Sequence, residues 1–343
     1  MASGTAEAVV GRHVARRAAL AVPLVLAVAV LTFLLTHLVP GDAARVLAGL
    51  NASEDAVARI REQYGLNRPL PVQFGLYLER LARGDLGDSL TNQRPVLSNL
   101  LDALPATIEL TVASLVIALV VGVPLGVLAA TRPGGPVDHL GRLLSLGGVA
   151  VPVFWAGILF VVVFYAHLGW LPSEGQTSLS GGGAPITGFA SLDALLRGDV
   201  YEFLDVLWHL VLPSVTLALP TLARVTRTTR ASILEALSEP YIATARAKGV
   251  PEFRVVYVHA LRNALLPVVT ITGLAFGYLL GGSVLVEKIF KWPGVGRYAY
   301  ESITVLDYNS VMGVTLVATV AFILVNLLVD VLYAALDPKI RFS

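Results

Sequence analysis

The side chains of this sequence that could carry chemistry fall into three groups, and none has the spacing of a catalytic site. The first is basic: Arg246, Lys248, Arg254 and Arg262 crowd one polar stretch and suit contact with acidic groups. The second is Asp330 with Asn326, one helical turn apart in an apolar run. A carboxylate at such depth is costly unless paired or wet, so it marks either a packing anchor or a conduit. The third is six histidines, dispersed without metal-ligand spacing; His259 falls in the basic stretch and is better explained there. H-E-x-x-H, G-x-S-x-G and G-x-x-x-x-G-K-[ST] are all missing, so zincin, serine-hydrolase and nucleotide-hydrolysing readings lack their defining residues. Zero cysteines exclude disulfides, thiolate metal sites and thiol catalysis together. No catalytic residue, cofactor site or metal site is expected in this chain.

What must position these groups is a set of long apolar segments. Of 343 residues 55% are hydrophobic and 14% charged, with mean hydropathy +0.73. An ordinary soluble chain carries about a quarter charged residues, so this is a membrane protein. Apolar runs cover 18–39, 107–130, 143–167, 206–225, 264–285 and 311–336. At about 1.5 Å per residue, each is long enough for a hydrocarbon core of roughly 30 Å. The fold class expected is an all-α polytopic membrane protein with six transmembrane helices. Pro213 and Pro220 interrupt the fourth run, which neighbouring helices and water can tolerate. Residues 41–104 are polar, with Ser53 before Glu54 and Asp55, Gly65 as a stop and Pro71 as a restart. They predict a small outer helical cap between the first and second helices.

An even number of spans puts both termini on one side. Arg12, Arg16 and Arg17, then Arg132, Arg142, Arg224, Arg227, Arg230, Arg246, Lys248, Arg254, Arg262, Lys339 and Arg341, all fall on that side. The positive-inside rule therefore makes both termini cytoplasmic. The domain division that follows is 1–40 for the cytoplasmic N-terminus and first helix, 41–104 for the extracytoplasmic cap, 105–336 for a five-helix core and 337–343 for a cytoplasmic tail.

The basic stretch is itself an element, within 238–263. Ser238 and Glu239 offer a capping oxygen and a negative charge ahead of Pro240, which suits a first helical turn. Gly249 can close the helix in the left-handed region, and Pro251 can open another. Helix, tight turn, helix is expected, with small Ala243 and Ala247 allowing another backbone to approach.

On these residues the chain resembles a known family, the membrane-spanning subunits of type I ATP-binding-cassette importers. Their signature is E-A-A, three residues, Gly, nine residues, then I-x-L-P. Aligned on Gly249, it falls on Ala243, Thr244 and Ala245 and on His259, Ala260, Leu261 and Arg262; the small residue, the glycine and the leucine match. Y-I-A-T-A-R-A-K-G over 241–249 and H-A-L-R-N-A-L-L-P over 259–267 are similar to the dipeptide, oligopeptide and nickel branch, as are P-G-D near 40, G-L-N-R-P-L near 65 and G-D-L-G-D-S-L near 84. The resemblance implies the type I transmembrane fold, and a permease subunit forming half of a translocation pathway in a bacterial inner membrane. Implied partners are a homologous second permease, two cytoplasmic ATPase subunits holding ATP and Mg, an extracytoplasmic substrate-binding protein and membrane lipid, with no nucleic acid. Implied cargo is dipeptides or oligopeptides, with nickel or another small solute as the alternative. Tyr241, Ala243, Thr244, Ala245, Arg246, Lys248 and Gly249 would couple to the ATPase. Arg246 and Lys248 either meet acidic groups there or simply obey the positive-inside rule. A self-sufficient channel or secondary carrier is the competing class; it would show inverted repeats and paired broken helices.

Within the spans, Gly273, Gly277 and Gly281 recur every fourth residue, as do Gly122 and Gly126. Such grooves admit a neighbouring helix of this subunit or of a second permease. Arg224 or Arg227 suits Asp330 as an ion-pair partner. Glu109 reads as a hydrated interfacial residue, Phe290 and Trp292 as interface anchors, and the Ser180 to Gly183 run as a surface loop.

Overall fold

The computed structural model describes residues 20–34, 43–48, 52–63, 65–179 and 185–336. Among them no β-strand occurs, only an isolated bridge between Asp88 and Pro95. The chain divides into two compact units, Met1–Pro105 with Gly294–Ser343, and Ala106–Pro293.

In the first unit, the described part of α1 (Leu20–Leu34) is apolar. Short helices α2 (Ala43–Ala48) and α3 (Glu54–Gln63) follow. The Ser53 hydroxyl accepts from Ala56 N at 3.3 Å, so it caps α3. Helix α4 (Leu70–Ala82) packs Tyr77 against Phe33 and Ala29 of α1 and Leu316 of α15 (Tyr308–Leu336). The polar 41–104 stretch thus has α4 sharing a core with the last span.

The G-D-L-G-D-S-L loop is a clip on the start of α15. Asp307 is fully buried; its carboxylate accepts from Ser89 Oγ at 2.7 Å, Leu90 N at 2.9 Å and Ser310 Oγ at 2.7 Å. Gly87, at φ +80°, passes so close to Asn309 that a Cβ would lie 3.0 Å from its Nδ2.

The second unit is built around α9 (Val200–Ser238), a 39-residue helix with Pro213 and Pro220 inside it. Small residues let its neighbours approach closely. A Cβ on Gly126 of α5 (Val96–Thr131) would stand 2.5 Å from Thr229 Cβ, and one on Gly148 of α6 (Pro136–Ala150) 2.8 Å from Leu219 O. Gly122 and Gly126 therefore pack within this subunit. The α6 helix is also pinned by charge. Fully buried Asp138 accepts from Arg230 Nε at 2.7 Å and from Arg142 Nη2 at 2.8 Å.

Among the described residues, four helices are long and apolar enough to cross a bilayer: Val96–Thr131, Val200–Ser238, Glu252–Leu279 and Tyr308–Leu327. The run over 143–167, expected as one rod, is two. Helix α6 and the segment Val153–His167, which opens with α7 (Val153–Phe160), are bent by 108° and count as a fifth span only as a pair. The cause is Pro152, which pushes Val151 out of the helical region to φ −84°, ψ 123°. The remaining elements are α8 (Ala190–Arg197), α10 (Pro240–Ala247), α11 (Glu252–Arg254), α12 (Leu261–Gly282), α13 (Val284–Ile289) and α14 (Val295–Thr304). A π-helical turn, Val255–Ala260, joins α11 to α12.

Candidate functional site

The elbow from α10 to α11 is an apolar peg with an open outer face. Ile242 is fully buried and packs with Ile233, Ala236, Val255, Val256 and Ala260. Full burial of such a side chain contributes about 1.5–3 kcal/mol. Ala245 is half-buried against the same cluster. Ala243, Thr244, Arg246, Ala247, Lys248 and Gly249 face out and are exposed. Of the expected coupling residues, then, Ala245 rests against the chain's own core and most of the others form the free surface.

Local geometry follows from the punctuating residues. Glu239 is the N-cap residue without a side-chain bond, and Ser238 Oγ donates back to Glu235 O at 2.7 Å. The serine therefore finishes α9 instead of starting α10. Gly249 sits at φ +73°, a conformation that glycine adopts without strain. Arg246 forks onto Glu252 across the turn, at 2.6 and 3.1 Å; both are exposed, so the pair staples the elbow with little net stabilisation. Asn263 Nδ2 donates to Tyr241 Oη at 2.9 Å, tying α10 to α12. Phe253, which the sequence reading passed over, projects 69% exposed beside Tyr257, with ring centres 4.7 Å apart. Its signal was an aromatic in an otherwise polar turn.

The end of this unit remote from the elbow holds buried carboxylates. Glu109 is withdrawn from solvent and accepts from Ser191 N at 2.9 Å and Gln176 Nε2 at 3.0 Å. It fastens the 169–205 segment and is not the hydrated interfacial residue expected. Glu287, fully buried, accepts from Thr107 Oγ1 at 2.9 Å and Ser283 Oγ at 2.7 Å. Phe290 and Trp292 are core residues, 1% and 0% exposed, and Trp292 Nε1 donates to Ala106 O at 2.8 Å. Their interface-anchor reading fails because the turn after α13 folds inward. The Ser180 to Gly183 run lies outside the described residues. Beyond it, Asp193 accepts from the backbone N–H groups of Ile186, Thr187 and Gly188 and from Thr187 Oγ1. Burial pushes this carboxyl up, and those bonds outweigh it, holding it below the usual carboxylate range.

In α12, Gly273 is half-buried, Gly277 buried and Gly281 exposed with open space before it. The three do not share one environment. In α15, Asn326 is half-buried, and the Asp330 side chain lies outside the described residues. Arg224 has its guanidinium 5.6 Å from the centre of the Tyr278 ring.

An apolar, all-helical scaffold whose elbow is buried on one side and open on the other has the form of a transport subunit. Residues 122–342 match the family model "Binding-protein-dependent transport system inner membrane component", and residues 10–111 match its N-terminal companion. The chain belongs to this family, and it is a permease subunit of the inner membrane with the type I importer fold. More particularly, it is 47% identical over 314 residues to the probable D,D-dipeptide transport system permease protein DdpB of Escherichia coli (strain K12), covering 91% of this chain and 92% of that protein. It is 40% identical over 327 residues to the dipeptide transport system permease protein DppB of Alkalihalophilus pseudofirmus, covering 95% and 98%. It is 41% identical over 322 residues to the glutathione transport system permease protein GsiC of Salmonella paratyphi A, covering 94% and 96%. Among solved structures, an inward-facing conformation of the MetNI methionine ABC transporter matches with a TM-score of 0.50 at 18% identity, over 70% of this chain and 97% of that one; this likeness concerns the fold.

Proposed function

We propose that this subunit imports dipeptides or oligopeptides as half of an ATP-driven pathway, with a homologous permease as the other half. Two cytoplasmic ATPase subunits hold ATP and Mg, and an extracytoplasmic substrate-binding protein delivers cargo. Both termini and the elbow lie in the cytoplasm, six helices cross the bilayer, and the 41–104 segment faces outward as a cap. The cargo assignment rests on the dipeptide and glutathione permeases to which the chain is similar.

The observation that carries the coupling role is the two-sided elbow. Ile242 is fully buried while Ala243, Thr244, Arg246 and Lys248 are exposed on a helix two turns long. The buried side transmits force into α9 and α12, and the open side receives it from the ATPase as the nucleotide site closes. Gly249→Pro tests this directly, because proline is fixed near φ −65° where the turn needs +73°. The variant should reach the membrane yet lose both co-purified ATPase and peptide uptake. Retention of both would remove the coupling assignment.

A further inference from the structure

Contacts around α9 put a cation at mid-depth. Gly122 of α5 meets Val225 and Gly126 meets Thr229, so α5 and α9 run parallel and in step, with Arg224 level with Val121. That is about nine residues, or ~14 Å, inside the end of the α5 apolar run at Ala130. On the other side, Arg224 lies over Tyr278, about fourteen residues or ~21 Å into the apolar run of α12 that begins at Ala264. Two independent neighbours therefore place this guanidinium near the middle of a hydrocarbon layer about 30 Å thick. The hydropathy of α9 alone had put it at the inner edge, because Arg224, Arg227 and Arg230 end the apolar pattern there.

Arg230, further along, is neutralised by Asp138. Arg224 and Arg227 have no carboxylate partner among the described residues of this unit, and both are exposed. Facing lipid, an arginine at such depth costs at least about 2.5 kcal/mol, so this side of α9 turns toward a watery passage. Tyr278, 61% exposed, presents its ring to the cation. Beside them is a cavity of about 210 Å³ lined by Phe154, Leu217, Pro220, Thr221 and Tyr278 among others. It falls below the roughly 300–1,000 Å³ of drug-sized pockets, and suits one side chain better than a whole peptide.

We propose that Arg224, with Tyr278 beside it, is a station for the C-terminal carboxylate of a peptide in transit, with the adjoining apolar cavity receiving the terminal side chain. A guanidinium fork matches a carboxylate in two parallel bonds, and the tyrosine ring holds the fork in place while the passage is empty. At mid-depth a lipid phosphate is out of reach. This rests on the peptide-cargo reading and adds a substrate contact to it.

The test uses the complete importer in proteoliposomes with its binding protein, comparing uptake of alanylalanine with that of its C-terminal amide. Selectivity imposed by the binding protein cancels when variant and wild type are compared as ratios. Arg224→Gln should lower the acid-to-amide ratio about tenfold, as expected for losing one charge-assisted hydrogen-bonded contact. Arg224→Lys, which keeps the charge and loses the fork, should fall between, and Tyr278→Phe should change the ratio less than about twofold. An unchanged ratio in an assembled Arg224→Gln complex overturns the proposal. Loss of assembly in both the Gln and Lys variants also overturns it, making Arg224 a contact of the second permease. A wild-type complex that takes up neither probe removes the peptide reading and, with it, this station.

Discussion

Away from the elbow, the second unit closes on Glu109, Asp193 and Glu287, each buried and each bonded to a loop or a separate helix. At the elbow end, one fully buried isoleucine, with half-buried Ala245 beside it, seats a helix whose remaining side chains are exposed. The first arrangement is rigid because withdrawing any partner leaves a carboxylate short of bonds where water cannot replace them. The second holds by packing from one side, so the other side is free for a partner without breaking an internal contact. One end of this unit is closed by its own chain; the other, in the proposed coupling role, is left for a second chain to finish.

The comparison breaks if changes at the two ends have the same effect. The largest loss of stability is expected from Glu287→Ala, which removes the acceptor of both Thr107 and Ser283 and should cost about 2–3 kcal/mol, read as a lowered thermal midpoint in detergent. Asp193 should act more gently and only in acid. Its folded carboxyl is held below the usual range, so the folded state binds fewer protons than the unfolded one. The contribution is complete above about pH 4 and disappears as pH falls through the depressed folded value. Protection of the Ile186, Thr187 and Gly188 amides against hydrogen exchange, corrected for the intrinsic rate at each pH, should be complete at about pH 5 and fall as the pH drops through that depressed value, and Asp193→Asn should remove that dependence. The smallest effect on stability belongs to Ala243→Trp, within about 0.5 kcal/mol because the site is exposed. The same variant should lose the ATPase in pull-down; unfolding as severe as that of Glu287→Ala would erase the distinction between the ends.

The parts legible in the sequence are those set by near neighbours. Apolar length marks α5, α9, α12 and α15, and Pro240, Gly249 and Pro251 outline the elbow. The break between α6 and α7 escaped because hydropathy continues through it, although Pro152 supplied the steric signal. The closure at Glu287 was invisible for a different reason: Thr107 lies 180 residues away, and a glutamate beside an aromatic turn reads as surface until the chain returns. The proposed mid-depth of Arg224 draws on the two apolar helices beside it, because its own helix gives no ruler.

The π-helical turn at Val255–Ala260 has a bearing on the elbow that helical wheels conceal. Winding five residues back instead of four gives the junction one surplus residue, and each residue accounts for about 100° of azimuth about the axis. Deleting one residue there would restore regular winding and swing the elbow's exposed face about a quarter-turn away from its present heading. The compass direction in which the elbow points is thus written in a spacing, not in any one side chain.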